Sequence, residues 1–167
     1  ALLTHRSLVG NAHFIAEALN FESSDRYINF SPFYHNGGLV TGLLMNTAVK
    51  GSTLYFQPQF DPAGALELID EHEIESMFGF GTMYAALRDA PNYEETTFSI
   101  RKALVAATPA QYEQAVEMSD APPEERAFSN LYAQTGAGPL VSVVDADDRL
   151  VGMLSTTDLT AYLSKRR

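Results

Sequence analysis

The chain contains no cysteine, which excludes disulfides and thiolate chemistry and agrees with a reducing compartment. Basic residues are also scarce: 11 Lys and Arg stand against 21 Asp and Glu, for a formal net charge of −10 and a pI near 4.7. That balance opposes nonspecific attraction to nucleic acid or to an anionic membrane surface, so neither is expected as a partner. No apolar run approaches the roughly 20 residues that span a bilayer. The opening ALLTHRSLVG lacks the basic segment and apolar core of a secretory signal. A cytoplasmic location is the expectation. His5, His13 and His72 show no metal-ligand spacing with one another, so no metal site is read from them.

What remains is 167 residues with 46% hydrophobic content, enough to bury one core and too few for two large independent domains. Leu8, Ala12, Ile15 and Leu19 recur at helical spacing behind Thr4 and Ser7, either of which can cap that helix. Residues 25–33 read as a strand ending at the turn-rich SPFYHNGG. The almost wholly apolar stretch 39–49 predicts a buried helix stopped near Gly51. Strand signals follow at 53–57, 75–80 and 100–107, and helices at 82–89 and from Thr108 through Met118. Asp61 with Pro62, and Thr108 with Pro109, each pair a capping side chain with a proline at the first helical position. Repeated strand and helix units of this length predict an α/β fold, a parallel sheet flanked by helices.

APPEE at 121–125 interrupts the periodic pattern with two prolines and is the best candidate linker. Beyond it, 140–144 and 150–154 read as strands around an Asp-rich turn, and 158–163 as a short helix. Three segments are therefore expected: an α/β unit over 1–119, a linker or loop over 120–139, and a small strand, strand, helix unit over 140–167.

Residues 130–139 read NLYAQTGAGP, where Tyr132, Gln134 and Thr135 sit beside glycines that let backbone approach a ligand. This stretch resembles the Tyr-Gly-any-Thr-Glu loop of AMP-forming acyl-CoA synthetases, members of the adenylate-forming (AMP-binding) family. Other motifs follow that family's order: LTHRSL at 3–8, SPFYHNGG at 31–38, Asp61 with Pro62, GFGTMY at 79–84, and AATP at 106–109. The resemblance covers about residues 1–118 and extends less closely to Pro139.

The resemblance implies ATP-dependent activation of a carboxylic acid as its acyl-adenylate, with coenzyme A as the later acceptor. It places Phe33, Tyr34 and His35, with Met83, around the acyl group, where a ring can orient the reacting carboxylate. It sets Ala106, Ala107 and Thr108 against adenine and ribose, at a helix N-terminus suited to polar ligand atoms. It also gives Tyr132 to adenine, Gln134 to the same loop, and Thr135 to a phosphate oxygen. Each has a structural role open to it as well: His35 packed in an aromatic loop, Thr108 capping its helix, Tyr132 buried against its own loop.

Departures from the family's pattern are equally specific. The motif acid that helps hold Mg is Gly136 here, and glycine offers no side-chain oxygen to a hard cation. The family's lysine-bearing Ser/Thr/Gly-rich loop would precede Leu3. Its ribose-binding aspartate and C-terminal domain would follow Pro139. Losing one positioned phosphate contact typically costs on the order of 10²-fold in rate, so the chain reads as a fragment inactive by itself. Open strand edges and apolar faces predict association with a second copy or a companion polypeptide.

Residues 141–163, VSVVDADDRLVGMLSTTDLTAYL, resemble half of a CBS domain, a module whose paired copies bind adenosine nucleotides. That resemblance implies an alternative nucleotide site at Ser155 and Asp158, residues that also suit a helix cap and first turn. A third alternative is an interaction fragment without a ligand.

Overall fold

The structure is a computed structural model that describes residues 3–134, 138–144 and 150–154, with side chains described through residue 130. Seven strands form one sheet in the order β2-β1-β3-β4-β5-β6-β7. They are β1 (Arg26–Asn29), β2 (Thr53–Phe56), β3 (Ser76–Phe80), β4 (Lys102–Ala106), β5 (Ala127–Gln134), β6 (Gly138–Val144) and β7 (Leu150–Leu154). The first five are mutually parallel. The last two add antiparallel to β5 and to each other.

Among the described residues four α-helices, α1 (His5–Ala18), α2 (Pro62–Glu71), α3 (Gly81–Arg88) and α4 (Pro109–Glu117), join a 14-residue π-helix, Gly37–Lys50. Local chemistry sets their ends. Thr4 accepts a hydrogen bond from the Ser7 amide at 3.1 Å, and Asp61 Oδ2 accepts from the Gly64 amide at 3.3 Å. Gly51, at φ 68°, takes the left-handed conformation that stops the π-helix, as its position after the apolar run predicts.

The chain leaves β1 toward β2 on one side and returns to β3 on the other, so right-handed crossovers send the connecting helices to opposite faces. Two cores result. On one face α1 and the π-helix bury Ala12, Ile15, Leu19, Val40 and Met45 against Tyr27, Phe78 and Leu104. On the other, α2, α3 and α4 bury Leu66, Ile69, Tyr84, Leu87 and Ala115 against Ile28, Met77, Ala103 and Val105. Alternate residues of one strand thus enter different cores, Tyr27 and Ile28 being the clearest pair.

Two sequence expectations change. Residues 127–134, inside the stretch read as linker or loop, form β5, whose first half pairs with β4 and second half with β6. Strands β6 and β7 extend that same sheet, so the strands read as half of a CBS module continue the main architecture. The expected helix at 158–163 lies outside the described residues.

Candidate functional site

In open parallel sheets ligands bind beyond the carboxyl ends of the strands, at the point where strand order reverses. Here that point lies between β1 and β3. The loop 30–36 leaves the end of β1 there, and the 80–81 step from β3 into α3 leaves beside it. The turn of Ala106, Ala107 and Thr108 leaves β4, the next strand over. Only β3 separates β1 from β4, so the two sequence-predicted segments emerge roughly 10 Å apart.

His35 sits in a tightly self-bonded loop. Its amide donates to the Pro32 carbonyl at 2.9 Å, and its carbonyl accepts from the Leu39 amide at 2.9 Å. The imidazole Nδ1 accepts from the Gly37 amide at 3.1 Å. In the neutral ring this assigns the proton to Nε2, and the residue is exposed, so Nε2–H can donate to a ligand. A Cβ at Gly37 would lie 2.8 Å from the Phe78 ring, so the start of the π-helix rests directly on β3. Asn36 Oδ1, next to His35, is buried with no hydrogen-bond partner among the described residues.

The surroundings are aromatic. Phe33 and Tyr34 are 37% and 94% exposed, Phe56 at the end of β2 is 56% exposed, and Phe80 at the end of β3 is 40% exposed. Phe33 packs on Phe56 at 5.8 Å between ring centroids, and Phe80 packs edge-on against Phe78 at 5.2 Å. These are the exposed large hydrophobic side chains of the described residues, and all stand at the carboxyl end of the sheet. Met83, by contrast, packs against the core on the α2, α3 and α4 face. Phe56 and Phe80 escape the sequence reading because a phenylalanine closing a strand pattern looks like core until neighbouring strand lengths show it left uncovered.

On β4 the predicted turn is half-buried at Ala106 and Ala107 and exposed at Thr108. Thr108 forms a capping box: its amide donates to Gln111 Oε1 at 3.1 Å, and its hydroxyl accepts from the Gln111 amide at 3.5 Å. The capping role is therefore realised, and the Thr108 amide has a partner within the chain. Asn130 on β5 donates through Nδ2 to the Ala107 carbonyl at 3.1 Å, tying this turn to the strand that carries the NLYAQTGAGP motif. Tyr132 and Gln134 lie on β5 by backbone position. Thr135, Gly136, Ser155 and Asp158 lie outside the described residues.

Two tyrosines beside the site are strongly perturbed. Burial pushes the Tyr27 phenol well up, against opposing hydrogen bonds with Thr41 and the Phe78 backbone. Its hydroxyl donates to Thr41 Oγ1 at 3.2 Å, and Thr41 in turn donates to the Gly37 carbonyl, which anchors the π-helix start to β1. Burial likewise raises Tyr84, with Tyr27 and Tyr112 adding to the effect. Both remain neutral and structural at ordinary pH.

Among the described residues no three His, Asp or Glu side chains converge as a metal site. Charge collects instead at the opposite, amino end of the sheet. A cleft of about 470 Å³ there is lined by Arg26, Glu73, Glu75, Arg101 and Asp120 among others. Its charges largely satisfy each other: Arg26 meets Glu73 at 3.1 Å and Arg101 meets Glu75 at 2.7 Å. The neutral, aromatic carboxyl end is the better candidate for a ligand.

Comparison with known proteins bears on the family and the fold. The chain is 28% identical over 160 residues to a putative acyl-CoA synthetase, YngI, of Bacillus subtilis, covering 93% of this chain and 28% of that protein. It is 29% identical over 147 residues to a feruloyl-CoA synthase of an Amycolatopsis species, covering 87% of this chain and 29% of that one. Among solved structures, apo MatB from Rhodopseudomonas palustris superposes with a TM-score of 0.72 at 24% identity, over 91% of this chain and 30% of that one. The N-terminal domain of FACL13 from Mycobacterium tuberculosis gives 0.68 at 18% identity, over 92% of this chain and 46% of that one. These two likenesses establish the fold. The chain thus spans less than a third of the length of these two curated relatives. The family model for AMP-binding enzymes matches residues 1–160, and so takes in most of the stretch that resembles a CBS module. That stretch is accordingly assigned to the same family match as the rest of the chain, and the CBS reading, with Ser155 and Asp158 as its site, is not supported. With the fold, the motif order and the family model in agreement, the chain belongs to the AMP-binding enzyme family.

Proposed function

We propose that this chain is the part of an AMP-forming acyl-CoA synthetase that receives the carboxylic acid and the adenine nucleotide at the carboxyl end of its parallel sheet. The observation that carries this reading is the emergence of the His35 loop and the Ala106, Ala107 and Thr108 turn on either side of β3, at the strand-order reversal. In the reaction the acid's carboxylate oxygen attacks the α-phosphorus of ATP and pyrophosphate leaves. The thiol of coenzyme A then displaces AMP from the acyl-adenylate. His35 Nε2–H is a donor suited to hold an anionic oxygen, and Phe33, Tyr34, Phe56 and Phe80 suit an apolar acyl portion. Ala106 and Ala107 offer backbone to the nucleotide, with Tyr132, Gln134 and Thr135 assigned to it by their motif.

Magnesium enters this proposal only through the nucleotide phosphates, and no step is assigned to it. Association of the open β2 edge with a second copy or a companion polypeptide belongs to the same proposal and is readable by sedimentation. The central test is thermal denaturation of the purified chain with AMP and with a nonhydrolysable acyl-adenylate analogue. Binding to the native state must raise the midpoint, by about 2.7 kcal/mol of stability at a ligand concentration 100 times Kd. An unchanged midpoint at millimolar concentrations of both would refute the proposal.

A further inference from the structure

The side chain of Asn29, the last residue of β1, is 3% exposed and holds the following turn from both sides. Its Nδ2 donates to the Ser31 carbonyl at 2.7 Å, while its Oδ1 accepts from the Ser31 amide at 3.3 Å. The amide group occupies a notch in the π-helix left by Gly42, where a Cβ would lie 2.7 Å from Asn29 Cγ. The turn it holds is then closed on itself: a Cβ at Gly38 would lie 2.3 Å from the Pro32 carbonyl oxygen and 2.5 Å from that of Ser31. Within this closed turn the His35 amide bonds Pro32 and the Gly37 amide bonds His35 Nδ1.

We infer that Asn29 is a positioning residue for His35: with its amide seated in the Gly42 notch it holds Ser31 and fixes the turn that aims the imidazole, with Nδ1 occupied and Nε2–H outward. The physical reason is geometric. Asn29 satisfies both backbone polar groups of Ser31 with one planar amide. A single side chain therefore sets the height of the turn over the π-helix, and the Gly37 amide reaches Nδ1 only at that height. An aspartate in its place keeps the shape but turns the Ser31 carbonyl contact from attraction to repulsion.

The functional meaning rests on the reading that His35 faces the ligand, but the positioning is measurable without one. The readouts are the hydrogen-exchange rate of the Gly37 amide and the long-range proton–nitrogen correlations of the His35 ring, recorded on the full 167-residue chain. In Asn29→Asp, and independently in Gly42→Ala, Gly37 exchange should accelerate about tenfold, the factor expected when one hydrogen bond of ordinary net strength is lost. The His35 ring signals should lose their single-tautomer pattern. Ile69→Val, a core change in α2 remote from the turn, serves as the control: it lowers the thermal midpoint and should leave both readouts in place. Gly37 exchange and ring signals that match wild type in both variants would overturn the inference, as would equal changes in the Ile69→Val control. Titration of wild type with AMP and with benzoate tests the other reading separately. If neither shifts the His35 ring, the ligand assignment fails while the Asn29 result stands by itself.

Discussion

Lys102 Nζ lies 2.7 Å from Asp25 Oδ2, with both side chains almost wholly buried. The pair sits at the amino end of the sheet, where β4 begins beside the turn that leads into β1. Each charge has further partners. Lys102 also donates to the Asn20 carbonyl at 2.7 Å, Asp25 Oδ2 accepts from the Glu22 amide at 2.7 Å, and Arg101 approaches Asp25 Oδ1 at 3.5 Å. Such pairs contribute little net stability against an apolar replacement but cost heavily when half is removed. The charged end of the molecule therefore organises the strand starts, opposite the carboxyl end where the ligand site is proposed.

Asp25→Ala should destabilise the fold by about 3–5 kcal/mol, because it leaves Lys102 buried with one carbonyl as its partner. The double variant with Lys102→Met should recover a large part of that loss. Urea denaturation midpoints of the two variants check both statements.

Tyr27 and Tyr84 offer a contrast between two buried phenols. The Tyr84 hydroxyl has no hydrogen-bond partner among the described residues, so Tyr84→Phe should be neutral or stabilising by up to about 1 kcal/mol. Tyr27→Phe removes the bond to Thr41 and should cost about 0.5–1.5 kcal/mol. Thermal midpoints of the two variants should move in opposite directions or differ by that margin.

The same pair sets an alkaline limit. Both phenols are raised above their ordinary value of 10.0 by burial, so the folded chain keeps protons that the unfolded chain releases. Their contribution to stability is intact below pH 10 and is lost as pH rises above it. Two such groups predict a fall of up to about 3 kcal/mol per pH unit above 10. Denaturation midpoints between pH 9 and 11 should show that break, and it should be about half as steep in Tyr84→Phe.

Thr108→Ala removes the cap of α4 and should cost about 1 kcal/mol. The nucleotide contact proposed for this turn runs through backbone, so AMP affinity measured by calorimetry should change little once the chain is held well below its midpoint. A large loss of affinity at unchanged stability would instead give the hydroxyl a direct role.

Phe80 is exposed enough that Phe80→Ala should cost only about 1–2 kcal/mol, against the 3–5 of a fully buried phenylalanine. Its expected effect is on the acyl portion: affinity for an aromatic acid such as benzoate should fall several-fold while AMP affinity holds. Equal loss of both would indicate a general disturbance of the sheet end.

Much of this architecture is legible from residue order because its signals are local. Asp61 and Thr108 cap the helices they were expected to cap, Thr4 is the one of the two candidates Thr4 and Ser7 that caps α1, and Gly51 stops the apolar run that precedes it. The strand β5 was not legible. AFSNLYAQ carries no β-branched residue and no alternation, and it is a strand because β4 and β6 offer ladders to its two halves. The π-type winding of 37–50 was equally hidden, since apolar content predicts a buried helix but not its pitch. The CBS resemblance drew on a strand, turn and strand pattern common to many folds, and the sheet shows those strands extending β5.

By itself the sequence determined the α/β class, the helix boundaries that depend on caps and prolines, and the family, through motifs whose order survives without any one of them matching fully. Only the tertiary structure decided which segments meet at the candidate site. Strand order 2-1-3-4-5 brings the loop after β1 near the turn after β4, across more than 70 residues of chain, because hydrogen-bonded pairing sets neighbours by space and not by sequence. It also decided that Asn29, read in the sequence as one more strand residue, sits beneath the turn that carries His35. That role depends on the notch at Gly42, and no local signal links the two positions.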